Sequence, residues 1–158
     1  CFFIFLKSLN NPNTYIPNES VGKKILPFSA NTLLDKKSIS SDVLFSEDKI
    51  YLLNIFASWC APCRAEHENL MKLSKNSSIK IIGLNYRDSF TNAKKFIDQF
   101  GNPYSEIIVD KDGTIAINLG AIGVPETYVI DKNQKILRKF LGPINSDFIK
   151  DVEGLTIQ

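Results

Sequence analysis

From Ile50 to Ala57 the chain is apolar at every position but Asn54. A run of that length without alternation suits a central strand covered on both faces. Residues 79–84 (Ile-Lys-Ile-Ile-Gly-Leu) read as the next strand. Between them the spacing changes to a helical one, with Cys63, His67, Leu70 and Ser74 falling on one face of a helix that begins at the cysteines. In residues 91–100, Ala93, Phe96, Ile97 and Phe100 recur at i, i+3, i+4 and i+7, and Gly101 follows as a C-terminal cap. Residues 105–109 read as a short strand, 110–113 as a turn and 114–119 as a short helical stretch. Residues 127–130 and 135–141 form an antiparallel hairpin across the turn 131–134, and 145–152 predict a terminal helix. Upstream, residues 25–34 read as a strand disturbed by Pro27, and 36–44 as a polar turn leading to a weak second strand. The order is an N-terminal hairpin, β-α-β, an inserted α-β-α, then β-β-α. It predicts an α/β fold, a mixed sheet with helices on both faces.

The ends of the chain read differently. Residues 7–20 are rich in Asn, Pro and Ser, which is linker and turn chemistry. Residues 1–6 (Cys-Phe-Phe-Ile-Phe-Leu) are strongly apolar but far short of the about 20 residues a spanning helix needs. The chain does not begin with methionine, and Met71 is its single one. We therefore expect residues 1–20 to be the remnant of a membrane anchor or signal segment plus a linker, and residues 21–158 to be one domain. The alternative is a short apolar piece packed on that domain. A chain of 158 residues with 44% apolar and 23% charged residues fits a single globular domain. Its 19 basic and 17 acidic residues leave a net charge of +2 with no basic stripe, so charge makes no case for nucleic acid.

The cysteines carry the chemistry. There are three, Cys1, Cys60 and Cys63, and one histidine, His67. That set cannot complete a usual four-ligand zinc site within one chain, and three cysteines are too few for a disulfide scaffold. No metal and no cofactor is expected. Cys60-Ala61-Pro62-Cys63 lies where a strand ends and a helix begins, so backbone N–H groups and the helix dipole favour a thiolate at Cys60. Two intervening residues let the sulfurs close a small disulfide ring, and Pro62 restricts the dipeptide between them. Cys60 is expected to be the exposed nucleophile and Cys63 the buried resolving thiol.

Residues 59–64 (Trp-Cys-Ala-Pro-Cys-Arg) resemble the active-site motif of the thioredoxin superfamily. Residues 53–67 (Leu-Asn-Ile-Phe-Ala-Ser-Trp-Cys-Ala-Pro-Cys-Arg-Ala-Glu-His) are closer to one branch, the DsbE/CcmG group of thiol:disulfide interchange proteins of cytochrome c maturation. Val21-Gly-Lys, Gly101-Asn-Pro-Tyr104 and residues 123–131 also match that branch, so the resemblance spans residues 21–141. It implies a thioredoxin-like fold with an N-terminal β-hairpin and a central α-β-α insertion. It also implies a membrane-anchored reductase on the periplasmic side of the bacterial inner membrane. The implied clients are apocytochrome c, through its CxxCH disulfide, or a CcmH-type assembly protein, and the implied electron donor is a membrane protein of the DsbD/CcdA type.

The resemblance also assigns roles around the cysteines. It implies a cis Val124–Pro125 bond whose loop lies against the CxxC and pairs with the substrate chain. Trp59, Ala61, Pro62, Val124, Pro125 and Glu126 would form the groove. Glu66 and Glu126 would make that groove acidic, with Glu66 the proton acceptor for Cys63, its pKa raised by desolvation. Asn54 stands where ordinary thioredoxins, which this segment also resembles, carry a buried aspartate, and an asparagine cannot be that base. His67 is expected to pack or hydrogen-bond, and Trp59 and Tyr128 to line groove and core. A broader extracytoplasmic reductase of the ResA/TlpA kind remains an alternative. A DsbA-like oxidase fits less well, because the dipeptide is Ala61-Pro62 and the insertion is short. A copper-binding assembly factor on this fold would want a wider cysteine spacing and a distant histidine.

Overall fold

Seven of the segments with strand pattern pair into one sheet, and the helices between them cover its two faces. The computed structural model describes residues 19–156. Its elements in chain order are β1 (Ser29–Thr32), β2 (Ser38–Ser40), α1 (Ser41–Leu44), β3 (Ile50–Phe56), α2 (Ala61–Leu73), β4 (Ile79–Tyr86), α3 (Phe90–Phe100), β5 (Glu106–Asp110), α4 (Thr114–Asn118), β6 (Glu126–Ile130), β7 (Ile136–Leu141) and α5 (Ser146–Leu155). The sheet order is β2-β1-β5-β4-β3-β6-β7. β3 pairs parallel with β4, and β4 with β5, while the outer pairings are antiparallel. This is the mixed α/β architecture the hydrophobic pattern predicts, in the thioredoxin-like form the resemblance implies.

Strand β3 sits near the middle of the sheet, and its side chains divide the core. Leu52 and Phe56 join Leu70, Leu73, Phe96, Ile97, Val129 and both active-site cysteines on one face. Tyr51, Leu53 and Ile55 join Ile82, Leu84, Ile108, Tyr128 and Ile130 on the other. The period of two that sends alternate side chains to opposite faces thus decides which residues can reach the cysteines.

Three expectations are corrected. The strand over 25–34 shrinks to Ser29–Thr32, because Ile25 gives its N–H to Gln134 O (2.9 Å) instead of to a β1 partner, and Pro27 has no N–H to give. The second strand over 36–44 ends at Ser40 and turns into α1, whose last residue Leu44 and the next, Phe45, are 5% and 2% exposed. Adjacent residues on a strand point to opposite faces, whereas a helical turn allows both to be buried on one side. Helix α2 stops at Leu73, so its buried face is Cys63, Glu66, His67, Leu70 and Leu73, and Ser74 lies exposed at the cap. The N-terminal segment expected to be an anchor remnant, with Cys1, lies outside the described residues. Among the described residues no helix is long and apolar enough to cross a membrane.

Candidate active site

Past the C-terminal end of strand β3 the chain reaches Cys60, which becomes the N-cap of α2, with Pro62 in the first turn. The Cys63 N–H donates to Cys60 Sγ at 3.2 Å, so the first sulfur sits on the helix terminus where negative charge is favoured. The two sulfurs form a disulfide with a Cα–Cα distance of 5.3 Å. The expectation that Cys60 is exposed is corrected for this oxidised form: it is 4% exposed against 2% for Cys63, because both cysteines pack into the core cluster on this face. The surface around the pair belongs to Trp59, Ala61 and Pro62, all exposed. The Trp59 Nε1–H donates to Arg87 O (3.2 Å).

One turn beyond Cys63, Glu66 is 1% exposed. Its Oε1 accepts from Asn54 Nδ2 and its Oε2 from the Ile144 N–H, both at 2.9 Å. Asn54 also donates to Thr127 Oγ1 (3.0 Å) and accepts from the Tyr104 hydroxyl at Oδ1 (2.9 Å). Its amide orientation is fixed by donors and acceptors on both sides. Burial pushes the Glu66 pKa up to about 7, against the lowering effect of the Ile144 and Asn54 hydrogen bonds. Burial raises the Tyr104 hydroxyl well above its ordinary value, and the Glu66 charge adds to the effect. A carboxyl that can take up or release a proton near neutral pH therefore sits on the same helix as Cys63, three residues on. The exposed helix face that would have left Glu66 solvated is not where it lies.

The Val124–Pro125 bond is cis, and Val124 packs against the core cluster that contains Cys60 and Cys63. Glu126 is a different matter. It pairs in register with Ile55, and Tyr128 with Leu53, so the Glu126 carboxylate lies on the face of the sheet away from α2. Its Oε1 accepts from the Ile122 and Gly123 N–H groups (2.7 and 2.9 Å) and its Oε2 from the Tyr128 hydroxyl (3.0 Å). The expectation that Glu126 adds acid beside the sulfurs is thereby corrected: strand alternation turns it away from Pro125's neighbours on the cysteine side. Glu66 is the carboxyl that shares the cysteines' face.

His67, one turn after Cys63, is 3% exposed, and its Nε2 lies 2.8 Å from Gly101 O. A carbonyl only accepts, so Nε2 carries the hydrogen; Nδ1 has no partner among the described residues. Burial lowers its pKa, against the raising effect of the Gly101 carbonyl, and its ring stands edge-on to Phe96 at 5.1 Å. It is a neutral packing residue, as the sequence suggests. Two residues escaped the sequence reading. Asp88 accepts from the Ser58 N–H (2.7 Å) and hydroxyl (2.8 Å), pinning the segment that leads into Trp59 and Cys60. Lys139 lies 3.5 Å from Glu126, its side chain 1% exposed. The distance along the chain hides both partnerships; the Asp88-Ser89 pair before a helical run is the one local signal.

The Redoxin family model matches residues 20–155. The chain is 38% identical over 148 residues to the probable thiol:disulfide interchange protein DsbE-2 of Pasteurella multocida, covering 93% of this chain and 76% of that one. To the thiol:disulfide interchange protein HelX of Rhodobacter capsulatus it is 37% identical over 145 residues, covering 92% and 81%. A crystal structure of a DsbF homologue from Corynebacterium diphtheriae superposes with a TM-score of 0.74 at 27% identity, covering 92% and 96%. The thioredoxin domain of a Bacteroides vulgatus thiol-disulfide oxidoreductase, at 22% identity and TM-score 0.74 over 86% of this chain and 97% of that one, shares the fold. With a CxxC disulfide on a helix N-terminus, a cis-proline loop packed into the same core and relatives of this kind, the chain belongs to the Redoxin family and, within the thioredoxin superfamily, to the DsbE/CcmG group of thiol:disulfide interchange proteins, which are protein-disulfide oxidoreductases.

Proposed function

We propose that this oxidoreductase works as a reductant in cytochrome c maturation. Its client is the CxxCH disulfide of apocytochrome c or the disulfide of a CcmH-type assembly protein, and a DsbD/CcdA-type membrane protein returns its electrons. It acts on the periplasmic side of the inner membrane, held there by a segment to which residues 1–20 belong. The observation that carries the reading is the buried Glu66 carboxyl one turn from Cys63, hydrogen-bonded to Asn54 and Ile144.

In the reduced protein the Cys60 thiolate attacks one sulfur of the client disulfide and forms a mixed disulfide, releasing the other client sulfur as a thiolate. Cys63 then gives its proton to Glu66 and attacks Cys60 Sγ. The mixed disulfide breaks, the Cys60–Cys63 disulfide closes, and the client leaves reduced, one sulfur taking its proton from Glu66 and the other from water. Two electrons have passed from protein to client. A proton acceptor with a pKa near 7 suits this second step, because it can take the thiol's proton and return it to the leaving client thiolate.

Two measurements test the reading. Cys63→Ser removes the resolving thiol, so it should accumulate a mixed disulfide with a CxxCH peptide, while Cys60→Ser should not; the reverse pattern would exchange the two roles. Equilibration with glutathione should give a potential well below the about −120 mV of a strong oxidant and nearer the about −270 mV of thioredoxin. A potential at the oxidising end, with the protein mainly oxidised in cells whose membrane donor is intact, would reject the reductase.

A further inference from the structure

We propose that Lys139 is a positioning residue for client binding, acting through Glu126 on the loop of residues 120–125. The proposal rests on the functional reading above and on the implication of the family resemblance that the cis-proline loop pairs with the client chain. Lys139 comes from β7, the last strand of the sheet, and stands opposite Tyr128 in the β6–β7 register. Its side chain is 1% exposed, and that of Glu126 is 2%. The ammonium donates to Gly120 O at 2.7 Å and lies 3.5 Å from Glu126 Oε2. It also lies 5.6 Å from the centre of the Tyr128 ring. Glu126 in turn accepts from the N–H groups of Ile122 and Gly123.

Between them the two charges hold three successive points of one loop: the Gly120 carbonyl, the Ile122 amide and the Gly123 amide. The next two residues are Val124 and cis-Pro125. A buried ammonium and carboxylate are costly to desolvate, and such a pair rarely adds to stability over an apolar one. What this pair does is geometric. Without Lys139, Gly120 O loses its donor and Glu126 is left as a buried, uncompensated anion. Without Glu126, two backbone amides lose their acceptor. Ile122, at the loop's tip, is 70% exposed although apolar, so the loop presents a side chain outward on a backbone fixed from beneath. Because the pair lies on the sheet face away from the cysteines, its removal should alter how the client docks and leave the sulfurs' own reactivity in place.

The test uses the full chain and a short CxxCH disulfide peptide. In Lys139→Met the KM for the peptide should rise about tenfold with kcat little changed, because a loop no longer held by this hydrogen bond must be ordered when the client binds, at a cost of about one such bond. The rate of Cys60 alkylation by iodoacetamide should match that of the natural chain. Amide exchange at Ile122 and Gly123 should quicken at least tenfold. Lys139→Arg, which keeps the charge and the donors, should restore KM. Should Lys139→Met fail to fold, Glu126→Gln/Lys139→Met removes both charges with side chains of similar size, and its KM should still be raised. A folded Lys139→Met with natural KM and slow amide exchange overturns the proposal. So does a change in alkylation rate or potential in place of KM, which would make the pair an electrostatic influence on the sulfurs. Failure of the functional reading is visible separately: there the natural chain itself does not reduce the peptide, and the proposed client role of Lys139 falls with it.

Discussion

Glu66 is the residue whose environment does most to set behaviour with pH. In the unfolded chain its pKa is the ordinary 4.5, and in the fold it is pushed up to about 7. The folded state therefore binds the proton more tightly, so this contribution to stability is full below pH 4.5 and is lost as pH rises through 7. At about 1.4 kcal/mol per pKa unit the change is about 3 kcal/mol. Relative to the natural chain, Glu66→Gln should thus gain about that much in urea unfolding between pH 4.5 and pH 8. An offset that is the same at both ends would show that the buried carboxyl is ionised throughout. The same variant should lose the inflection near pH 7 in the rate of Cys60–Cys63 closure from a mixed disulfide, while remaining folded. His67 works in the other direction. Its pKa is lowered by burial, so the unfolded chain takes up the proton first and stability falls as pH drops below 6.5. The two together place opposed slopes in the acid range, and Glu66→Gln separates them.

At the scale of elements, the β3–β4 pairing controls the network around Glu66 through one glycine. Gly83, in β4, stands opposite Asn54 in the register. A Cβ there would come 2.9 Å from Phe56 Cε1 and 3.0 Å from Tyr104 Cγ, two rings stacked with centroids 4.9 Å apart. Gly83→Ala should therefore cost about 1–3 kcal/mol as the rings are forced apart. It should also pull the Tyr104 hydroxyl from Asn54, which near-ultraviolet circular dichroism of the tyrosine band would register. Gly154 makes the contrast: it lies in α5, and a Cβ there meets nothing within 4 Å. Gly154→Ala should raise stability by about 0.5–1 kcal/mol through helix propensity and a less flexible unfolded chain. Equal effects of the two substitutions in a urea titration would remove the packing argument for Gly83.

For the whole molecule, the direction of electron flow and the stability of the fold are linked by one cycle. A protein that donates electrons has its disulfide favoured by the folded state, so the oxidised form should unfold at a higher urea concentration than the reduced one. Each 30 mV by which the folded potential lies below that of the unfolded chain is worth about 1.4 kcal/mol. The order is reversed in a strong oxidant such as DsbA, whose reduced form is the more stable. Paired urea curves of oxidised and reduced protein test this without a client. A reduced form more stable than the oxidised would contradict the reductant reading.

Several things were decided by the sequence alone. The apolar run through β3, the helical period of α3 with Gly101 at its end, and the β6–β7 hairpin are local patterns, and local propensity with periodicity suffices for them. The Cys60–Cys63 pair is also local, since two residues of spacing and a helix start bring the sulfurs together whatever lies around them. The match of residues 53–67 to the DsbE/CcmG pattern points to Glu66, and that of residues 123–131 to the cis-proline loop. What the tertiary structure alone decided is which groups meet across the chain and on which face. That Glu66 is buried rather than solvated depends on Ile144 and Asn54 arriving from elsewhere in the chain. That Glu126 turns from the cysteines to Lys139 depends on the strand's period of two and on the register that places β6 against β3 and β7. A side chain's charge is written in the sequence; its partner, its face of the sheet and its exposure to water follow from pairings between distant segments, and these set the proton affinity of Glu66 and the work of Lys139.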